Sequence, residues 1–257
     1  MQTTDKVLMI RPVRFSYNSQ TAVNNAFQES GIPEELSQRQ ALKEFDAYVE
    51  MLRNEGIEVT VVEDTATPHT PDSIFPNNWL SLHSAEELAD VGSRVAVLYP
   101  MFAENRRAER RQDIIVALTG AVAPSCASAA LLDLTSYEKS NLFLEGTGSL
   151  ILDRNEHLAY ACQSPRTCEE VLEEWSSKMG YDYFLFHAED MNGNPIYHTN
   201  VMMSVGEQLA VVCLDAITDI EERMSLIELL EESDKEIVEI SLEQMNEFAG
   251  NMLQLHT

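Results

Sequence analysis

Four short stretches place a histidine, a carboxylate and several amides directly ahead of apolar runs: Asn77-Asn78 in DSIFPNNWLSLH, Glu145 in FLEGTGSLILD, His198 with Asn200 in IYHTNVMMSV, and Asn251 in FAGNMLQL. A carboxylate and an imidazole in one pocket make an acid/base pair, and amides beside them supply neutral hydrogen-bonding groups for a polar substrate. Asp72 joins this set as a substrate ligand or as the residue that starts the turn before Phe75, and Arg11 joins it as a cation for an α-carboxylate. Each residue also has a plainer reading. Glu145 before Gly-Thr-Gly can cap a turn, and asparagines after Pro76 are common turn residues. Arg106, Arg107, Arg110 and Arg111 read as a solvated helix face paired with Glu104, Glu109 and Asp113. His69, His83 and His187 fit no metal-ligand spacing, so no metal site is expected.

The elements that must position these residues recur along the chain. From Asn77 the order is a strand (NNWLSLH), a polar excursion over 84–93, a strand (RVAVLYP), a helix at 106–119 and an apolar segment at 130–134. It returns from Glu145 as GSLILD, LAYACQ, a helix at 168–179 opened by Ser164-Pro165-Arg166-Thr167, and YDYFLFH. After His198 come TNVMMSV, QLAVVCLD, a helix at 219–232 and EIVEIS. The N-terminus is a partial copy (KVLMIRP, a helix at 36–54, IEVTVVE), and GNMLQLH at the C-terminus reads as the first strand of another. Units of about 50 to 70 residues, each covering its neighbour's apolar face, suit a propeller-like ring. The chain is therefore expected to be one incomplete α/β domain over residues 1–257, with the polar repeat starts converging near its axis. An ordinary α/β sheet with crossover helices would give much the same alternation.

Composition narrows the partners. The 257 residues carry 43 acidic and 17 basic side chains, a net charge of −26, which argues against gripping nucleic acid or an anionic membrane surface. No apolar run reaches the roughly 20 residues that cross a bilayer, and the N-terminus lacks the zones of a signal peptide, so a cytoplasmic protein is expected. Cys126, Cys162, Cys168 and Cys213 are scattered and read as reduced thiols, with Cys162 and Cys213 inside strands as small buried hydrophobes. The acidic run from Asp219 to Glu247 reads as the wet face of an amphipathic helix with Ile220, Met224, Ile227 and Leu230 inward. Trp79 and Trp175 read as core.

The order PDSIFPNNW, LEGTGSLILDR, YHTNVMM, with RPVRFSYNSQTAVNNAFQ and PMFAENRRAERR, resembles the guanidine-modifying (amidinotransferase, or pentein) superfamily, nearest its citrulline-utilisation hydrolase branch, over essentially the whole chain. The resemblance implies a five-bladed α/β propeller, here missing most of its last blade, whose axial pocket cuts or transfers a C–N bond at a guanidine or ureido carbon. It implies a cysteine thiolate that attacks the planar carbon, His198 as acid/base and Glu145 as the carboxylate orienting substrate nitrogens. No cofactor is needed for that chemistry.

Two departures from the family pattern refine the expectation. Arginine-cleaving relatives hold two aspartates where this chain has Asn78 and Asn200. An amide both donates and accepts, which suits a neutral ureido group, whereas a guanidinium offers only donors. A citrulline-like substrate is therefore expected in preference to arginine. The family nucleophile lies in a Gly-rich segment near the C-terminus, and this chain reaches Thr257 without one. The expectation is a truncated C–N hydrolase, inactive as it stands, or else a noncatalytic ureide-binding or interaction protein derived from such an enzyme. An open ring exposes strand edges, so association into a homo-oligomer is compatible with it.

Overall fold

Runs of aliphatic and β-branched residues form Lys6–Arg11 (β1) and Glu58–Glu63 (β2), which pair in parallel and are joined by the helix Glu34–Asn54 (α1). The computed structural model describes residues 1–25, 28, 31–88, 94–119 and 129–257. Cys126 and the end of the polar excursion fall outside those residues.

Three further sheets follow one plan. In the second, Leu80–His83 (β3) runs antiparallel to Arg94–Leu98 (β4), which pairs in parallel with Ala129–Asp133 (β5). The helices Glu104–Arg107 (α2) and Gln112–Thr119 (α3) lie between β4 and β5. The third sheet follows the one-turn helix Gly146–Ser149 (α4) and joins Ile151–Asp153 (β6), Leu158–Cys162 (β7) and Asp182–Phe186 (β8), with Glu169–Met179 (α5) as crossover. The fourth joins Met203–Val205 (β9), Leu209–Val212 (β10) and Glu236–Glu239 (β11), with Ile220–Glu232 (α6) as crossover and Leu242–Asn246 (α7) after it.

Each pair of successive sheets shares a core. Ile10 meets Trp79, Leu80, Ala96 and Ile114 between the first two. Val95 and Val97 meet Leu152, Ala159 and Trp175 between the second and third. Tyr160 and Phe186 meet Met203, Val212 and Leu226 between the third and fourth. Trp79 and Trp175 are both core, at 1% and 0% exposure.

Four expectations change. The opening strands of the repeats begin late, because residues 76–78, 146–149 and 199–201 form single helical turns ahead of β3, β6 and β9. Pro76 presets the first turn and Gly146, at φ +47°, enters the second. The stretch 251–257 forms no strand: its backbone bonds to the N-terminal stretch once, His256 N to Thr4 O at 3.2 Å, and Leu255 packs with Val7 and Met9. The helix expected at 106–119 is broken between α2 and α3, where Arg106 turns inward to Glu109. In α6 Leu230 and Ile227 pack inward as expected, joined by Leu226, while Ile220 and Met224 face water at 74% and 49% exposure.

The third and fourth sheets are also tied by charge. Lys235 Nζ, just ahead of β11, lies 2.9 Å from Asp153 Oδ2 at the end of β6, with the two side chains 2% and 0% exposed. Removing one partner of a buried pair strands the other's charge. Lys235→Met is expected to lower unfolding free energy by about 3 to 5 kcal/mol, measured by urea denaturation against wild type.

Candidate active site

The single helical turns at the repeat starts meet one another. A Cβ at Gly146 would lie 2.2 Å from Asn77 O, so only glycine lets α4 close on the 76–78 turn. A Cβ at Gly148 would lie 2.4 Å from Asn78 Nδ2 and 2.8 Å from both Nδ1 and Cε1 of His198. The Asn78 amide and the His198 ring thus pack directly against Gly148, where only glycine leaves room for both.

Glu145 enters α4 with no exposure to water, and His198, just ahead of the 199–201 turn, is 4% exposed. His198 Nε2 and Glu145 Oε2 are 2.8 Å apart. Phe102 N donates to Glu145 Oε1 at 2.9 Å, and Arg166 Nη1 lies 3.5 Å from Oε2. Burial alone would raise the Glu145 pKa, but the His198 hydrogen bond and the charges of His198, Arg166 and Arg106 prevail and hold it at about 2. Burial pushes His198 down to about 4 despite Glu145, with Arg166 and Arg106 acting in the same direction as burial. At neutral pH the carboxylate accepts from Nε2–H, so the lone pair sits on Nδ1, the nitrogen packed beside Gly148. Both Glu145 oxygens are occupied by protein. It orients His198 here, where a role on the substrate nitrogens was expected.

The other candidates divide. Asn78 is 4% exposed and its Oδ1 accepts from Arg106 Nη1 at 2.8 Å. Asp72 is also buried, and its Oδ2 accepts from Asn18 Nδ2 at 2.8 Å and Thr21 Oγ1 at 2.9 Å. Asn77 and Asn200 are half-buried on the turns flanking α4. Asn251 is exposed beside Gly250, whose backbone packs on Val201 and Met202. Arg11 is not brought to this centre: at the end of β1 it forms a two-pronged pair with Asp46 on α1 and a second pair with Glu63, both partners on the surface. The site's buried cations are instead Arg106 and Arg166, each 2% exposed.

Arg106 corrects the reading of its cluster as a wet face. Its Nε and Nη2 are held by Glu109 at 2.9 and 3.0 Å, and burial raises Glu109 to about 7 against the pull of Arg106. Arg107 and Arg110 pair with Glu138, and Arg111 with Asp113. Arg166, absent from the expected set, donates to Thr21 O and Asn24 Oδ1 and lies over the Tyr197 ring at 4.8 Å. The sequence signal for it is its isolation, a lone cation after Pro165 in an acidic stretch. Asn18, Thr21 and Asn24, in the segment after β1, therefore close over the centre by bonding Asp72 and Arg166.

The described thiols point elsewhere. Cys162 Sγ donates to Ile196 O at 3.3 Å, with burial pushing the thiol up to about 12; Cys213 is in the core; and Cys168 precedes α5. Among the described residues no group of three or more His, Cys, Asp and Glu could hold a metal ion, and no helix is long and apolar enough to cross a membrane.

A buried Glu–His pair between repeated strand starts, on this sheet plan, defines the class: the guanidino-modifying hydrolases of the pentein superfamily. The family model described as N,N dimethylarginine dimethylhydrolase, eukaryotic, matches residues 11–257, and the chain belongs to that family. No curated protein sequence matches the chain. Among solved structures it is similar to ArgZ, a cyanobacterial arginine dihydrolase, with a TM-score of 0.71 and 17% identity over 97% of this chain and 33% of that one. The chain thus spans about a third of full-length ArgZ. The substrate-bound N-terminal domain of ArgZ gives 0.70 and 16% identity over 96% of this chain and 79% of that one. DDAH from Pseudomonas aeruginosa, complexed with citrulline, gives 0.63 and 16% over 98% and 82%.

The depressed pKa values set an acid limit. A group whose pKa falls on folding contributes stability above its unfolded value and loses it as pH drops towards the folded one. For His198 that window runs from 6.5 to about 4, and for Glu145 from 4.5 to about 2. Unfolding free energy is expected to fall as pH is lowered from 6.5 to about 4, and His198→Asn is expected to flatten that part of the curve in denaturant titrations at successive pH values.

Proposed function

We propose that this chain carries the substrate pocket of a C–N hydrolase for a ureido or guanidino amino acid, with a citrulline-like ureide preferred over arginine. The four sheets are read as blades of a five-bladed α/β propeller with Glu145, His198 and Asn78 at its axis. One observation carries this reading: a charged carboxylate with no exposure holds the imidazole by Nε2, which leaves Nδ1 beside Gly148 and the Asn78 amide. An imidazole so held takes a proton from an attacking group and returns it to departing ammonia.

In the reaction, a nucleophile adds to the planar carbon, the C–N bond breaks with a proton delivered from His198, and water released of a proton by His198 completes hydrolysis. The buried cation Arg166 takes the place first considered for Arg11 as counter-charge for the substrate carboxylate, by exchanging Asn24 for it. The similar solved proteins include complexes described with citrulline, ornithine and L-arginine, which supports an amino-acid substrate of this size. A second reading, a ureide binder that does not cut, is favoured by the state of the buried thiols, Cys162 bonded to the Ile196 carbonyl with its pKa pushed up and Cys213 packed in the core.

Ammonia release from citrulline and arginine separates these readings, measured on the chain and on a fusion extended by a relative's cysteine-bearing segment. Turnover of citrulline by the fusion, about tenfold or more above arginine and reduced about 100-fold or more by His198→Ala, is the expected outcome. Faster turnover of arginine would show the ureide assignment to be wrong, and citrulline binding without turnover in either form would favour the binder.

A further inference from the structure

A cleft of about 470 Å3 lies between α2 and the turn that follows β5, lined by Arg107, Asp133, Thr135, Ser136, Glu138 and Lys139. The bonds these side chains already make leave a definite set of open groups. Both oxygens of Glu138 are taken, by the Met101 N–H and by Arg110, with Arg107 Nε at 3.5 Å. Asp133 Oδ1 accepts from Thr135 N at 2.9 Å and from Thr135 Oγ1 at 2.6 Å, which uses the threonine's proton and leaves Oδ2 without a partner among the described residues. Lys139 Nζ and the Ser136 hydroxyl have no partner among the described residues either, and Arg107, bonded through Nε and Nη2, keeps Nη1 open. What remains is two cationic donors, one hydroxyl and one carboxylate oxygen. A simple anion in the cleft would face Asp133, and a simple cation would face Arg107 and Lys139. A molecule carrying a carboxylate and an ammonium close together satisfies both signs. The volume falls within the roughly 300 to 1,000 Å3 of small-molecule sites, ample for a free amino acid.

The cleft also touches the support of Glu145. Arg107 donates from Nε to Met101 O at 3.0 Å and from Nη2 to Phe102 O at 3.4 Å, and its guanidinium lies 5.9 Å from the centre of the Phe143 ring. Phe102 is the residue whose N–H holds Glu145 Oε1 at 2.9 Å, and its ring meets Phe143 edge-on at 5.4 Å. A carboxylate arriving at Arg107 competes with two neutral carbonyls for one guanidinium, and the charge-assisted pair is the stronger. We infer that this cleft is an effector site for a free α-amino acid: Arg107 and Lys139 take its carboxylate, Asp133 Oδ2 takes its ammonium, and the pull on Arg107 passes through the Phe102 backbone to Glu145 and His198. The site shares no side chain with the centre and does not depend on the reaction proposed there.

Nuclear magnetic resonance titration of the intact chain with L-alanine, N-acetyl-L-alanine and L-alaninamide tests this, in wild type, Lys139→Ala and Asp133→Asn. Both substituted positions are exposed, so the fold is expected to persist. Alanine is expected to shift the Ser136 backbone amide and the His198 ring with one midpoint. The acetylated and amidated probes, each lacking one of the two charges, are expected to bind about tenfold or more weaker, and each substitution to weaken alanine about fivefold or more. An unmoved Ser136 amide overturns the site, and equal binding of the three probes overturns its amino-acid chemistry. A Ser136 shift without a His198 shift overturns the effector role. His198 shifts that survive both substitutions come from alanine at the centre itself and overturn that role as well.

Discussion

Glu145 carries a negative charge where no water reaches it, and the centre of the molecule is arranged around that charge. An unpaired carboxylate in such a place would take up a proton. It stays ionised because three separate parts of the chain converge on it: the backbone after β4 through Phe102, the turn before α5 through Arg166, and the repeat start at His198. Its charge in turn decides which imidazole nitrogen holds the proton.

Convergence of this kind needs close backbone approach, which the repeats supply by opening on single helical turns. Those turns stack only because Gly146 and Gly148 present no side chain to Asn77, Asn78 and His198. The shared cores between successive sheets hold the turns in place, so packing far from the centre sets distances within it. The segment after β1 then completes the polar surroundings with Asn18, Thr21 and Asn24.

The repeat and the polar residues at its starts were legible because both are local: period-two apolar runs, crossover helices with caps such as Asp219, and a change of residue type at each strand start. Helical turns of three or four residues before β3, β6 and β9 were not, since Pro-Asn-Asn, Gly-Thr-Gly-Ser and Thr-Asn-Val are too short to show a helical period and only the close approach of another turn favours the coil. The misreadings at Arg106 and Arg166 share a cause. Arg106 has enough nearby carboxylates to look solvated, and its partner Asn78 lies 28 residues away. Arg166 stands in a stretch that reads as a helix opening, while its partners Thr21 and Asn24 come from the far end of the chain. Side chains that serve a centre through distant contacts leave little trace in local spacing, and α6 shows the milder case, where the inward face is displaced from the row that periodicity picks out.

The return of residues 254–257 to the start of the chain has a mechanical consequence. His256 meets Thr3 and Thr4, and Thr257 reaches Gly56, so first and last residues of the described fold are neighbours. The edge of β1 and the turn before β2 are thereby covered by residues some two hundred positions further along, so the first sheet is held from both sides of the described chain and should loosen if residues 254–257 are detached from it.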